Sequence, residues 1–223
     1  VFLTAQEMLK ANNAGLADAS VIIEGFGKVG EQAARLFSER HAKIVGVSTV
    51  QGALFDERGL DIVKIISLKK EYGDSFVHFY NDGNKIEKEK LIIQKADILI
   101  PGARPDSINI RNVDKIQAKI IVPIANIAAT EEIERILSEK EIAYMPGFVA
   151  NCGGILGYFI ANQGFRSEAV EEIIREGFPR KIEKLIAQAQ IENKSLSQNA
   201  REAASLNFQK MAYEDKVPVM KLF

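Results

Sequence analysis

Residues 21–30 read VIIEGFGKVG, an apolar run followed by glycines at 25, 27 and 30. No other segment of the chain restricts the fold as strongly. Val21 to Glu24 predicts a short buried strand, and the glycines predict a sharp turn into a helix. Beyond Gly30, Ala33, Leu36 and Phe37 recur in step with Val29 at helical spacing. AKIVGVS, residues 42–48, reads as the next strand. Strand, glycine turn, helix and strand within about thirty residues is the size of a βαβ unit.

Each glycine then has a separate task. Gly25 permits the tight turn out of the strand, Gly27 allows backbone to approach a pyrophosphate, and Gly30 lets the helix pack on the strand. Phe26, Lys28 and Val29 complete the turn, and the helix N-terminus offers free N–H groups and partial positive charge to phosphates. A corner that only packs can carry the same glycines. The strand before and the helix and strand after favour the dinucleotide.

NAD-binding units usually carry an acidic residue at the end of the second strand, on the ribose hydroxyls. This chain has Ser48, Thr49, Val50 and Gln51 there. With no carboxylate to repel a 2′-phosphate, the Ser48 and Thr49 hydroxyls are expected to donate to it. Lys28 or Arg58 is expected to supply charge. The cofactor is therefore NADP or NAD, with NADP favoured.

The remaining pattern alternates strands with helices. TAQE at Thr4–Glu7 predicts a capping box opening a helix over about 5–12. A short helix is expected from about Asp61, a strand at SFVHFY, a helical turn at KEKLII, and strands at ADILIPGA, AKIIVPIAN and IAYMP. Thr130 is expected to cap a helix through 131–140. From about Val149 the chain turns helical. Val170, Ile173, Ile174, Phe178, Ile182, Leu185 and Ile186 share one face, with Gly177 and Pro179 expected to break or kink it. Ser197 is expected to cap a last helix. The fold class is α/β, a doubly wound, mostly parallel Rossmann-like sheet with helices on both faces and a helical C-terminal segment. One domain is expected over 1–223, with a leading helix in 1–18 and C-terminal helices in 165–215.

Composition bounds the partners. At 223 residues and 47% hydrophobic, the chain has material for a real core, and its net charge of −1 gives no general attraction to nucleic acid or membranes. One cysteine, Cys152, rules out an intrachain disulfide and fits a reducing, cytoplasmic setting. No apolar stretch is long enough to span a bilayer. Cys152 is read as a packing residue, His41 and His78 as non-catalytic, and no spacing suggests a metal site. The chain opens on Val1, so a piece processed or excised from a longer protein is expected.

Three further stretches carry a resemblance. ADILIPGA (96–103), IVPIANIAAT (121–130) and FVANCGGIL (148–156), taken in order with EGFGKVG, GLDI and AREAASLNF, resemble the cofactor domain of the glutamate/leucine/phenylalanine/valine dehydrogenase family. The resemblance covers nearly the whole chain. It implies a second, Rossmann-like domain whose partner domain binds the amino acid and holds the catalytic lysine and aspartate. It implies oxidative deamination by hydride transfer to nicotinamide, with no catalytic residue in this chain and no activity without the substrate domain. Gly25, Gly27, Lys28, Val29 and Gly30 are implied at the pyrophosphate, Gly102 and Ala103 along the cleft, and Asn126 and Asn151 toward the nicotinamide. Oligomers are implied for the full-length protein, mostly through the other domain. The chain departs from the family at Pro123, Ile124, Cys152 and Gly157, all on the nicotinamide and substrate side. The alternatives are a diverged stand-alone NADP(H)-binding regulatory or interaction module, or a Rossmann dehydrogenase acting on another small metabolite.

Overall fold

A computed structural model of the chain describes residues 1–213. Its centre is the strand β1, Ser20–Glu24, whose last four residues are all buried. An apolar run with no polar alternation suits a strand covered on both faces. β1 pairs in parallel with β2 (Lys43–Thr49) on one side and β5 (Ile98–Pro101) on the other. β6 (Ile120–Ile121) and β7 (Ala143–Tyr144) extend the parallel array beyond β5.

The other edge turns round. After Thr49 the chain reverses through Val50 and Gln51, and β3 (Gly52–Phe55) returns antiparallel to β2. β4 (Asn84–Ile86) adds antiparallel to β3, giving the order β4-β3-β2-β1-β5-β6-β7. The sequence reading contains neither edge strand. No Asn-Gly or Asp-Gly pair marks the hairpin, and Gly52 takes φ 147° to make it.

Strand periodicity splits the core into two layers. Val21 and Ile23 join Ile44, Val47, Ile98 and Ile100 on one face, while Ile22, Val45, Leu99 and Ile121 face the other. The first layer is closed by α1 (Phe2–Ala11), α2 (Lys28–Glu39), α3 (Ile62–Tyr72), α4 (Phe76–Phe79) and α9 (Ser167–Ile191). The second is closed by α5 (Lys88–Leu91) and α6 (Glu131–Glu139). This is the doubly wound sheet that the alternation of elements implies. No helix among the described residues is long and apolar enough to cross a membrane.

Several local expectations change. α1 begins at Phe2, so Thr4 lies inside the helix, buried and with its hydroxyl unpaired, while Glu7 binds Lys10. α2 buries Gly30, Ala33, Ala34 and Phe37, leaving Val29 and Leu36 exposed. SFVHFY forms a helical turn: Phe76, Val77 and Tyr80 are buried, and the Asp61 N–H donates to the Tyr80 hydroxyl at 2.9 Å. α9 runs through Pro179 without a break, held by α8 (Gly153–Ala161) at one end and by α1 and α10 (Leu196–Tyr213) at the other. The cap of α10 is Ser195, whose hydroxyl accepts from the Gln198 N–H. Ser197 donates instead to the buried Glu134, which also accepts from Arg201 at 2.6 Å and so ties α10 to α6. Residues 214 and 215 of the expected C-terminal helices lie outside the described residues. Thr130 caps α6 as expected, and Asp61, where a helix was expected to start, caps α3.

Opposite the carboxyl ends of the strands, Asp97 fastens three of them together. Its carboxylate accepts from the Ser20 N–H at 2.9 Å, the Ser20 hydroxyl at 2.7 Å and Lys119 at 2.8 Å. Burial opposes this charge, but the bonds from Lys119 and Ser20 prevail and hold the carboxyl down at about 2. A depressed acid stabilises the fold above its unfolded value of 3.8 and loses that contribution as pH falls toward about 2. Asp97→Asn is accordingly expected to lower stability most above pH 3.8, with the gap to wild type closing on acidification. Chemical unfolding measured between pH 2 and 7 checks this, and a gap independent of pH contradicts it.

Candidate functional site

Strand order reverses between β1 and its two parallel neighbours: the chain moves outward to β2, then returns across β1 to β5. Open α/β sheets leave a crevice at such a point, outside the carboxyl ends of the strands. A cleft of about 590 Å³ lies there, lined by residues 24–30 after β1, Ser48–Val50 after β2, and Gly102–Arg104 after β5. Ile124, Asp74, Lys88 and Glu89 complete its wall.

The three glycines divide by what surrounds them. Gly25 has φ 93°, and a Cβ on it stands 2.9 Å from the Ala103 nitrogen. Both the turn and the approach of the β5 loop require glycine. At Gly30 a Cβ falls 2.1 Å from the Gly25 carbonyl oxygen, so α2 packs backbone to backbone on the turn. Gly27 differs: a Cβ there meets nothing within 4 Å, and its φ of −77° suits any residue. The protein does not require glycine at 27, and the space beside it belongs to the cleft.

α2 starts at this space without a side-chain cap. Its leading amides therefore face the cleft with the helix dipole's positive end. Two contacts hold the turn from behind. The Gly25 N–H donates to the Ser48 hydroxyl at 3.1 Å, and the Phe26 N–H to the Ser48 carbonyl at 2.7 Å. Lys69 of α3 donates to the Phe26 carbonyl at 2.6 Å and to Glu31 at 3.1 Å. Sequence spacing gave no sign of this lysine, which lies 43 residues from Phe26.

The structure brings most of the expected residues together and changes the task of some. Gly25, Phe26, Gly27, Lys28, Val29, Gly30, Ser48, Thr49, Gly102 and Ala103 all line the cleft. Ser48 is buried and its hydroxyl supports Gly25. The Thr49 hydroxyl donates to the Asp74 carbonyl at 2.9 Å and accepts from the Gln51 N–H. The Thr49 proton is thereby used within the fold, while Ser48 accepts from Gly25 and keeps its own proton. Arg58 is bound to Asp56 at 2.7 Å and lines a different cavity with Asp82 and Asn84. Asp74 and Glu89, which no local reading of VSTVQG contains, line the cleft beside Lys88.

Asn126 and Asn151 meet outside the cleft wall. Asn151 Nδ2 donates to Asn126 Oδ1 at 2.8 Å and to the carbonyl of Ile124, itself a wall residue, at 2.9 Å. Gly147 allows this, since a Cβ there stands 2.4 Å from the Asn126 carbonyl. Cys152 is half-buried ahead of α8, and burial pushes its thiol up, leaving a protonated packing group. His41 sits in an exposed turn with φ 65° ahead of β2, and His78 is an exposed residue of α4, so neither lies in a strand.

A doubly wound α/β sheet with a glycine turn, an uncapped helix N-terminus and an open cleft at its switch point defines the nucleotide-binding class of α/β proteins. Comparison with known proteins narrows the class. The profile of the Glutamate/Leucine/Phenylalanine/Valine dehydrogenase family matches residues 1–217, and the chain belongs to that family. It is 36% identical over 146 residues to the NADP-specific glutamate dehydrogenase of Saccharolobus shibatae, covering 66% of this chain and 34% of that protein. It is 34% identical over 178 residues to the cryptic catabolic NAD-specific glutamate dehydrogenase of Bacillus subtilis, covering 77% and 41%. Its fold matches the hetero-hexameric glutamate dehydrogenase of Thermus thermophilus with TM-score 0.83 at 21% identity, over 97% of this chain and 52% of that one. The chain thus spans between a third and about half of the length of these relatives, which are oxidoreductases.

The glycine geometry predicts two opposite outcomes. Gly30→Ala forces a backbone clash and is expected to cost about 3 kcal/mol or more, since overpacked backbone cannot relax around a methyl. Gly27→Ala changes only an unobstructed cap position and is expected to cost under about 1 kcal/mol. Thermal unfolding of the two variants decides, and equal losses contradict the separation of their roles.

Proposed function

We propose that this chain binds a nicotinamide dinucleotide across the carboxyl ends of β1, β2 and β5 and forms the cofactor-binding domain of an amino acid dehydrogenase acting on glutamate or a similar substrate. Gly27 is the observation that carries the reading: no contact within the protein requires its missing side chain, and its place at the open start of α2 beside the cleft suits close approach of a pyrophosphate. The uncapped start of α2 supplies amides for the same phosphates, with Lys28 beside them. Gly102, Ala103 and Ile124 form the wall leading toward the paired Asn126 and Asn151, which we assign to the nicotinamide end. When bound, the nicotinamide accepts or returns a hydride.

Within this reading the chain's own residues bind, orient and exclude water. Lys69 and Ser48 keep the turn rigid, so little ordering remains to be done on binding. No side chain of this chain is assigned to proton abstraction. That work falls to groups outside the described residues, and the chain alone is expected to bind cofactor without turnover. The exposed apolar face of α8 supports a neighbouring body of protein here: Ile155 is 79% and Tyr158 72% exposed, with Phe159 beside them. Oligomers of the full-length enzyme and a cytoplasmic setting belong to the same proposal.

Cofactor choice follows from the outer wall. With the Thr49 proton bonded inward and Asp74 and Glu89 in the same wall as Lys28 and Lys88, an unphosphorylated ribose fits as well as a 2′-phosphate. Calorimetric titration of the chain with NADH and with NADPH tests both levels. Binding of either, lost in Gly27→Val, supports the site, and the tighter of the two identifies the cofactor. Absence of binding by both overturns the proposal.

A further inference from the structure

The cleft contains one acid that the binding scheme above does not use. Glu24 ends β1, is 8% exposed and lines the cleft, yet its Oε2 has no hydrogen-bond partner. An ionised carboxylate with an unpaired oxygen is costly in such a place. We propose that Glu24 takes up a proton when a dinucleotide enters the cleft and serves as a neutral carboxyl in its wall, which makes cofactor binding proton-linked. This rests on the dinucleotide reading of the cleft.

The surroundings support it. Glu24 immediately precedes Gly25, and its carboxyl is approached by the Ser107 hydroxyl and the Gly102 and Ala103 amides, the last two also in the cleft wall. The Ser107 hydroxyl is itself buried without a partner. Arg104 is the charged group that acts on Glu24, and Lys28, Lys88, Asp74 and Glu89 share the cleft wall with it. Burial already pushes this carboxyl above its ordinary value, and the Ser107, Gly102, Ala103 and Arg104 contacts only partly offset that. A ligand bearing a pyrophosphate adds two effects of the same sign. It displaces water from the cleft, and it brings negative charge next to a carboxylate, so both favour the neutral acid.

The sign is fixed by linkage. Binding that raises the pKa of a carboxyl takes up protons, so affinity is greatest at low pH and falls as pH rises, by at most about tenfold per pH unit for one site. His41 and His78 are exposed and lie outside the cleft wall.

Calorimetric titration with NADH, which has no 2′-phosphate to titrate, between pH 5 and 8 in buffers of differing ionisation heat gives the number of protons taken up. The expected result is uptake approaching one proton by the wild-type chain and none by Glu24→Gln, whose affinity stays flat with pH. Unfolding of the ligand-free proteins supplies a second readout. Wild type is expected to lose stability relative to Glu24→Gln as pH rises above 4.5, because the folded state holds the proton more tightly. NADH binding with equal proton uptake by both forms, or with none by wild type, overturns the inference and leaves the dinucleotide site standing. Failure of both forms to bind NADH or NADPH removes the site and the inference together.

Discussion

The approach of α2 to the end of β1 is the contact on which the cleft depends. Gly30 rests against the carbonyl of Gly25 with no room for a methyl group, and Gly25 rests in turn against the β5 loop at Gly102 and Ala103. Three backbone segments therefore meet without side chains between them. That meeting fixes where α2 begins, and so where its unpaired amides lie. Lys69 and Ser48 add polar bonds at the same corner from α3 and β2. The corner is rigid because five segments contribute to it, while the space beside Gly27 stays open.

The parts of this arrangement visible in the sequence are those with local grammar. VIIEGFGKVG and the strand after it specify a strand, turn and helix because apolar period, glycine spacing and helix period all fall within one window. Thr130 was legible as a cap, and Asp61 as the start of a helix, for the same reason. SFVHFY was not, since a six-residue aromatic run satisfies strand and helical-turn spacing equally. Pro179 reads as a breaker, but α9 gains enough packing at both ends to continue through it. Tertiary contacts there outweigh a local preference.

Electrostatics was the least legible layer. Ser48 and Thr49 present hydroxyls in the sequence, and nothing nearby in the chain shows that Gly25 and Asp74 claim them. Glu24 reads as the last residue of a strand; only the β5 loop closing over it makes its charge a problem. A side chain's type is local, but its protonation and hydrogen bonding are decided by segments 20 to 80 residues away, as with Ser48 and Gly25 or Asp97 and Ser20.

The antiparallel edge explains why the cleft wall beside β2 looks as it does. A parallel third strand leaves the carboxyl end of β2 bordered by its own crossover. Here β2 turns directly into β3, and the chain leaves the sheet through α3 before returning. The turn after α3 then folds back on the end of β2, where the Asp74 carbonyl accepts the Thr49 hydroxyl. A carboxylate thus reaches the cleft from a helix end, not from the second strand. The usual place for an acid can therefore be empty in the sequence while the cleft still contains one. For this fold, the charge lining the cleft has to be read from the sheet's edge topology as much as from the second strand.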